Sequence, residues 1–285
     1  MSLTESVRLH NGVEMPKIGL GTYMIPDCDP VVKAVNAALK AGYRHVDTAS
    51  VYGNEKGVGT AIKESGMSRK EMFLVSKVWN ADHGYGQTLR AFEHSLGRLG
   101  TDYLDLYLIH WPRVATSRTL NDKVIFEQDN ETWKALEKLY KTKRVRAIGV
   151  SNFNTRQLKK LMKDAKTIPM VNQVELHPQF PQDELREFCK KHNIVMEAWA
   201  PLMQGKVFEI QLMKDLAKKY GKDVGQITLR WHYQRDVVVI PKSTRPDRIV
   251  SNAQIFDFEI SEADMEKVAT LKGERIGPDP ENIDF

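Results

Sequence analysis

Eight short apolar segments, each followed by an amphipathic one, limit the folds that are open to this chain. Continuous apolar runs are typical of parallel strands, because helices cover both faces of a parallel sheet. The segments between these apolar runs have helical periodicity. For example, one face of a helix would carry Leu89, Phe92, Leu96 and Leu99. The strand candidates are KIGLG, YRHVD, MFLVSK, LDLYLIH, VRAIGV, MVNQVEL, IVMEAW and VVVIPK. This alternation over 285 residues predicts an α/β fold, a (β/α)8 TIM barrel formed by one domain over residues 1–285.

The segment VRLHNGVEM comes before the strand candidates and predicts a β-hairpin. Apolar residues alternate on both sides of Asn11-Gly12, a dipeptide typical of a type I′ turn. We expect this N-terminal hairpin to close the bottom of the barrel.

A doubly wound open sheet is the alternative fold. Such a sheet normally carries a glycine fingerprint after its first strand. The segment GLGTYM has Gly19 and Gly21, but Met24 stands where the third glycine belongs. A dinucleotide, if one binds, is therefore not held in the Rossmann manner.

Composition and charge narrow the classes of partner. The chain has 42 basic and 37 acidic residues, interleaved, with a net charge of +5, which does not indicate nucleic-acid binding. Cys28 and Cys189 form no CxxC motif, as is usual in a reduced cytoplasmic protein. The N-terminus does not resemble a signal peptide, and no apolar run approaches the ~20 residues that span a bilayer. We expect a cytoplasmic monomer with a small-molecule substrate, and neither nucleic acid nor membrane as a partner.

Polar or aromatic residues stand where each strand candidate ends. They are Thr22, Asp47, Lys77, His110, Ser151 with Asn152, Gln173, Trp199, and Lys242 with Ser243. The carboxyl ends of barrel strands meet on one face, where the active sites of such folds lie. We therefore expect Asp47, Lys77 and His110 to meet there, together with Tyr52, which follows Asp47 by five positions.

Each of these residues taken alone has an ordinary structural explanation. Asp47 and Lys77 could form a salt bridge at the rim, Tyr52 could be a packed loop aromatic, and His110 a hydrogen-bonded strand-end histidine. A Tyr hydroxyl, with a pKa near ~10, is a poor acid at neutral pH unless its neighbours stabilise the anion. Only the combination indicates a proton-donating site.

Several blocks spread over nearly the whole chain resemble the signature segments of the aldo-keto reductases. They are GYRHVDTASVYGNE, LVSKVWN, DLYLIHWP, AIGVSNF, VNQVELHP, EAWAPL and VVVIPKSTRPDRI, in that order. The segments LREFCKKHNIVMEAWAPL and RIGPDPENIDF are similar to the branch that includes 2,5-diketo-D-gluconate reductases and microbial prostaglandin F synthases. The resemblance implies an NADPH-dependent carbonyl reductase on a (β/α)8 barrel.

The resemblance also implies roles for the catalytic candidates. Tyr52 is the expected general acid, and Lys77 stabilises its anion and lowers its pKa. Asp47 holds the Lys77 ammonium, and a neutral His110 donates a hydrogen bond to the substrate carbonyl.

Cofactor-binding positions follow from the same resemblance. They are Gly21, Thr22, Asp47, Ser151, Asn152, Gln173, Trp199, Pro201, Leu202, Gln204, Lys242, Ser243, Arg248 and Asn252. The cations Lys242 and Arg248 suit the 2′-phosphate of NADPH. Two positions depart from the family pattern: Ser251 replaces a common glutamate near the adenine, and Met203 replaces a common glycine in the loop expected over the pyrophosphate.

The substrate site is expected to be aromatic, with Tyr23, Tyr52, Trp79, His110 and Trp111 around the carbonyl. Possible substrates are diketo-sugar acids, prostaglandin-type endoperoxides and ketones, aromatic aldehydes and quinones. Residues 113–130 have little periodicity and predict a long loop or lid, in which Arg113, Arg118 and Lys123 could favour acidic substrates. The proline-containing tail GPDPENIDF is expected near the cavity mouth.

Three other functions are considered. A metal-dependent hydrolase is suggested by His110 and His177 near strand ends, but the chain lacks an HxH pair and clustered carboxylates, so we predict no metal. An NADPH-binding regulatory or structural protein of the same fold is the main alternative. A nucleic-acid binder has no motif behind it.

Overall fold

The computed structural model describes residues 3–112 and 122–283, with residues 122–127 described by their backbone alone. The chain begins with a hairpin of strands β1 (Ser6–Arg8) and β2 (Glu14–Pro16), in which Val7 lies opposite Met15. The predicted hairpin is confirmed, but the type I′ turn is wrong. Gly12 is left-handed at φ 88° while Asn11 is not, because the strands are joined by a longer loop closed by Leu9 N–H to Val13 O at 2.9 Å.

Eight parallel strands form the barrel in sequential order. They are β3 (Gly19–Gly21), β4 (His45–Asp47), β5 (Phe73–Val78), β6 (Leu104–Ile109), β7 (Val145–Ser151), β8 (Val171–Glu175), β9 (Val195–Trp199) and β10 (Val238–Val239). A parallel bridge between Ile18 and Val239 joins the last strand to the first. All eight predicted strands and the TIM-barrel architecture are confirmed.

Helices cover the outside of the barrel, eight of them between strands and two after the last strand. They are α1 (Asp29–Ala41), α2 (Glu55–Glu64), α3 (Tyr85–Leu99), α4 (Asp122–Lys141), α5 (Thr155–Asp164), α6 (Asp183–Lys191), α7 (Gln211–Tyr220), α8 (Val224–Gln234), α9 (Pro246–Ala253) and α10 (Glu262–Ala269). Their apolar stripes face the sheet, as Phe92, Leu96 and Leu99 do in α3.

The predicted loop over residues 113–130 is wrong in its second half. Helix α4 begins at Asp122, so the segment from there to residue 130 is helical. Arg113 and Arg118 lie outside the described residues, as does the side chain of Lys123. Their proposed preference for acidic substrates therefore stays a prediction.

The hairpin covers the amino-terminal end of the barrel, as expected. Met15 is fully buried, and the Asn11 side-chain amide donates to Arg146 O at the start of β7, at 2.9 Å. Next to it, Gly19 makes room for the imidazole of His45, since a Cβ at position 19 would lie 2.7 Å from His45 Cγ. The bottom of the barrel thus holds a polar side chain. In the described part of the chain, no helix is long and apolar enough to cross a bilayer.

Candidate active site

Lys77 occupies the centre of the carboxyl-terminal face. Its side chain is fully buried, and its ammonium contacts Asp47 Oδ1 at 2.6 Å, Thr48 O at 2.9 Å and Tyr52 OH at 3.4 Å. An ammonium has three donors, so each contact can take one. Although burial opposes it, the charge of Asp47 and the phenol of Tyr52 raise the pKa of Lys77. Lys77 is therefore a fixed cation directed at the Tyr52 hydroxyl.

Tyr52 ends a short 3-10 helix, Ser50–Tyr52, which turns back at the left-handed residue Gly53. Burial raises the pKa of Tyr52 to about 12, and Lys77 opposes this shift without overcoming it. The expectation of a net lowered pKa for Tyr52 is thus not met, because removing the phenolate from water outweighs the effect of one cation. Tyr52 therefore retains its proton at neutral pH.

His110 follows β6 and lies beside Tyr52, with 5.5 Å between ring centroids. Burial, assisted by the positive charge of Lys77, holds the pKa of His110 well below its ordinary value, so the ring is neutral as expected. Its Nδ1 is buried and has no hydrogen-bond partner among the described residues. A buried N–H without an acceptor is costly, so we assign the proton to Nε2, where it can be donated to a ligand oxygen.

Aromatic rings surround this group. Tyr23 lies 5.0 Å from Tyr52 and Trp79 lies 5.2 Å from His110, measured between ring centroids. Trp111 lies 6.4 Å from Trp199 by the same measure. The fold therefore brings together all the residues predicted to surround the substrate.

Strands β7 to β9 contribute amides and an indole to the same face. Gln173 donates through Nε2 to Asp47 Oδ2 at 2.8 Å, and Ser151 Oγ donates to Gln173 O at 2.7 Å. The Asn152 amide donates to His110 O at 2.9 Å and accepts from Trp199 Nε1 at 2.8 Å. The position and tilt of the Trp199 ring are thus set by a hydrogen bond as well as by packing.

The remaining cofactor candidates lie at the end of β3, on the segments after β9 and β10, and in α9. Thr22 is buried and donates its hydroxyl to Asp47 O at 2.9 Å, whereas Gly21 lies so close to Ile240 O that a Cβ would be 2.7 Å away. Pro201 is buried, Leu202 half-buried and Gln204 exposed. These three residues follow Trp199 closely in the chain.

Lys242 and Arg248 are exposed, and neither forms an ion pair with any described residue. Ser243 lies between them in the chain, and Arg245 is instead paired with Asp247 at 2.7 Å. Helix α9 begins at Pro246, so its amino end adds a partial positive charge. Asn252 is buried in this helix. Ser251, one of the two residues that differ from the family pattern, hydrogen-bonds to Asp223.

Comparisons with known proteins identify the family. Residues 17–272 match the Aldo/keto reductase family. The chain belongs to this family. It is 53% identical to a glyoxal reductase of Bacillus subtilis (strain 168), over 100% of this chain and 99% of that protein. A 9,11-endoperoxide prostaglandin H2 reductase of Trypanosoma cruzi is 49% identical, over 97% and 95% of the two chains. A crystal structure of a Gox0644 variant in complex with NADPH has a TM-score of 0.91 at 41% identity, over 99% of both chains.

The members of this family are oxidoreductases. This aldo-keto reductase also has buried polar residues that we did not predict. Glu197 in β9 is fully buried and accepts from Gln173 Nε2 at 2.8 Å, and its Oε1 lies 3.4 Å from His45 Nε2. Glu197 and His45 each lie two positions before the residue that ends their strand, and on the same side of the strand as that residue. A titratable residue at that spacing inside an apolar strand is the signal that could have located both.

Glu175, at the end of β8, is another such residue. It is fully buried and accepts hydrogen bonds from His177 and from the backbone of the C-terminal tail. The tail thus reaches the carboxyl-terminal face. In the described ranges of the chain, no group of three or more His, Cys, Asp or Glu side chains could hold a metal ion.

Proposed function

We propose that this protein reduces aldehydes and ketones to alcohols with NADPH, and that Tyr52 is the general acid. The observation that carries the proposal is the contact of the Lys77 ammonium with the Tyr52 hydroxyl at 3.4 Å, with Asp47 holding the same ammonium at 2.6 Å. A buried cation directed at a phenol has a clear chemical use where the phenol must lose a proton.

NADPH, when bound, supplies the hydride. The residues of the chain supply the rest. The neutral His110 donates its Nε2–H to the carbonyl oxygen and orients it. As negative charge develops on that oxygen, Tyr52 transfers its proton to it, and the resulting phenolate is stabilised by Lys77. An alkoxide is a stronger base than a phenolate, so this transfer is favourable even from a tyrosine whose pKa is raised.

The residues present fit this cofactor. Gln173, Asn152 and Ser151 offer amide and hydroxyl groups for a carboxamide, and Trp199 offers a flat face for a ring. Lys242 and Arg248, which form no ion pair with a described residue, suit a dianionic phosphate together with the amino end of α9. The tight contacts at Gly21 and the buried hydroxyl of Thr22 indicate positioning roles for these two residues.

The aromatic surroundings and the likeness to a glyoxal reductase support small dicarbonyls as substrates, within a broad carbonyl specificity. The other candidates are prostaglandin-type endoperoxides, diketo-sugar acids, aromatic aldehydes and quinones. We also propose that the protein is one barrel domain and a cytoplasmic monomer, for which sedimentation and cell fractionation are the direct tests.

The first test is NADPH oxidation with glyoxal, methylglyoxal, an aromatic aldehyde, a quinone and a keto-sugar acid. Tyr52→Phe should keep NADPH affinity and lose turnover by at least about a hundredfold, the usual range for removing a general acid. Tyr103→Phe, at the opposite end of the barrel, is the matched control. Unchanged turnover in Tyr52→Phe would refute the acid assignment, and tight NADPH binding without turnover on any compound would favour a regulatory function.

The second test concerns the phosphate. Arg248→Ala should weaken NADPH binding by about tenfold or more and leave NADH binding nearly unchanged, because only NADPH carries the 2′-phosphate. Arg245→Ala is the matched control, since Arg245 lies on the same loop but is paired with Asp247. Equal losses for both cofactors in Arg248→Ala would contradict a 2′-phosphate site.

A further inference from the structure

A row of buried polar groups runs along the inside of the barrel from the bottom to Tyr52. It is hydrogen-bonded throughout except between His45 and Glu197, whose facing atoms Nε2 and Oε1 have no hydrogen-bond partner among the described residues. It begins at Pro16 O in the hairpin, which lies 3.2 Å from His45 Nδ1. From there it passes through Glu197 and Gln173 to Asp47, and Asp47 contacts Lys77. Every side chain in it from His45 to Lys77 is at most 2% exposed.

The positions of His45 and Glu197 indicate that one of the two residues carries an additional proton. Pro16 O can only accept, so His45 Nδ1 carries a proton. In a neutral imidazole the other nitrogen, Nε2, is then an acceptor, and it faces Glu197 Oε1 at 3.4 Å. Two acceptors facing each other in a buried site are unfavourable, so one of the two residues is protonated.

Charge determines which of the two holds that proton. The titratable groups that face Glu197 are His45 and Asp47 on β4 and Lys77 on β5, while its partners on the adjoining strands are Gln173 and Val238. Lys77 is already neutralised by Asp47, so an ionised Glu197 would lack a cation of its own. Burial, together with the charge of Asp47, raises the pKa of Glu197 to about 8, and burial lowers the pKa of His45 to about 4. The proton therefore lies on Glu197, and both residues are neutral near pH 7.

We propose that Glu197 is a positioning residue for the reduction: it acts through the Gln173 amide on the Asp47–Lys77 pair and carries no negative charge while Tyr52 donates its proton. Gln173 Nε2 has two hydrogens, one given to Asp47 Oδ2 and one to Glu197 Oε2, each at 2.8 Å. This orients the Asp47 carboxylate and leaves the Gln173 carbonyl oxygen for the cofactor. The inference rests on the proposed role of Tyr52.

A consequence for pH follows. Loss of the Glu197 proton adds a second negative charge near Lys77, which lowers the ability of Lys77 to stabilise the phenolate of Tyr52. The rate of hydride transfer should therefore fall as Glu197 ionises. A purely structural Glu197 would produce no such dependence.

The experiment is the single-turnover rate of hydride transfer to glyoxal from about pH 6 to about pH 10, a span that covers this ionisation. The native protein should lose rate with a midpoint near pH 8. Glu197→Gln, whose amide oxygen still accepts from Gln173, should stay within about twofold of the native rate at pH 7, with its midpoint raised by about one unit or more. Glu197→Ala should lose about tenfold at pH 7, the scale of one lost buried hydrogen bond, and should not show the fall near pH 8, because alanine has no group that ionises.

Glu55→Gln is the matched control, because Glu55 is an equally buried carboxylate bonded to Ser76 and Arg98 at 2.6 Å, away from this row of groups. Its midpoint should equal that of the native protein. A Glu197→Gln midpoint that also equals the native one overturns the inference. If Tyr52→Phe is inactive in the same assay, that result leaves the proposed function intact.

A second measurement does not depend on the variants or on turnover. Infrared spectra of the native protein, with isotopically labelled glutamate, should contain the carbonyl band of a protonated carboxylic acid at pH 7, and that band should disappear with a midpoint near pH 8. Its absence at pH 7 would overturn the inference even if Glu197→Gln failed to fold.

Discussion

Gly277 lies against the indole of Trp199 so closely that a Cβ at position 277 would be 2.3 Å from Cη2 of the ring. The tail is held there by Glu175, which accepts from Ile276 N–H at 2.6 Å and from Gly277 N–H at 3.0 Å. The other side of the same indole bonds to Asn152. Trp199 is therefore fixed from the tail as well as from the barrel.

Gly277→Ala should displace either the tail or Trp199, since real Cβ atoms do not approach ring carbons so closely. We expect weaker NADPH binding, by about threefold to tenfold, the scale of a disturbed ring contact. Titration of the intrinsic tryptophan fluorescence with NADPH measures this. Gly97→Ala is the control, because nothing lies within 4 Å of a Cβ there, and it should bind NADPH normally.

The tail should also detach in acid. Although burial opposes it, hydrogen bonds from His177 and from the amides of Ile276 and Gly277 lower the pKa of Glu175 below its ordinary value of 4.5. A carboxyl with a depressed pKa stabilises the folded form above its ordinary pKa, and the contribution is lost as pH falls through the lowered value. Hydrogen exchange of the Ile276 and Gly277 amides should therefore accelerate below pH 4.5 beyond the intrinsic pH effect, and already at pH 7 in Glu175→Gln. Unaltered protection in that variant would contradict the role of Glu175 as the anchor.

Met203 combines a buried side chain, 1% exposed, with a left-handed backbone at φ 54°. Met203→Gly relieves backbone strain of about 1–2 kcal/mol but removes a buried side chain worth about 2–5 kcal/mol. The net result should be a lower free energy of unfolding and faster release of NADPH, measured by denaturant unfolding and stopped-flow fluorescence. Gln204→Gly is the comparison: Gln204 is also left-handed, at φ 52°, but exposed, so its change should be within about 1 kcal/mol. Equal destabilisation by both would show that packing is not the cause.

Stability should depend on the protonation of Glu197. Its pKa rises from 4.5 to about 8 on folding, so between these values the native state holds a proton that the unfolded chain releases. The contribution of Glu197 to the free energy of unfolding is thus fully present below pH 4.5, and it is lost as pH rises through about 8. Glu197→Gln lacks this loss, so its stability relative to the native protein should increase across that window and level off above it. A constant difference, in chemical unfolding at several pH values, would contradict the shift.

The strands and the meeting of Asp47, Tyr52, Lys77 and His110 were predictable, because apolar runs mark the strands and every strand of a barrel ends on the same face. The link from Glu197 to His45 was not predictable. It depends on which inward residues face each other across the barrel, and that follows from strand tilt and register rather than from local sequence. The net pKa of Tyr52 likewise depends on how completely the fold removes its hydroxyl from water. The start of α4 at Asp122 was missed because the segment has little apolar periodicity.

The contact between Gly19 and His45 has a consequence for protein engineering. Residues at the amino-terminal end of a barrel are commonly regarded as open to stabilising substitution, since chemistry occurs at the other end. Here a methyl group at position 19 would press on His45 and so alter a group connected to Asp47. Libraries that aim to raise the melting temperature of this barrel should therefore leave positions 16, 19 and 45 unchanged, and fusion partners should be attached where they do not displace the hairpin.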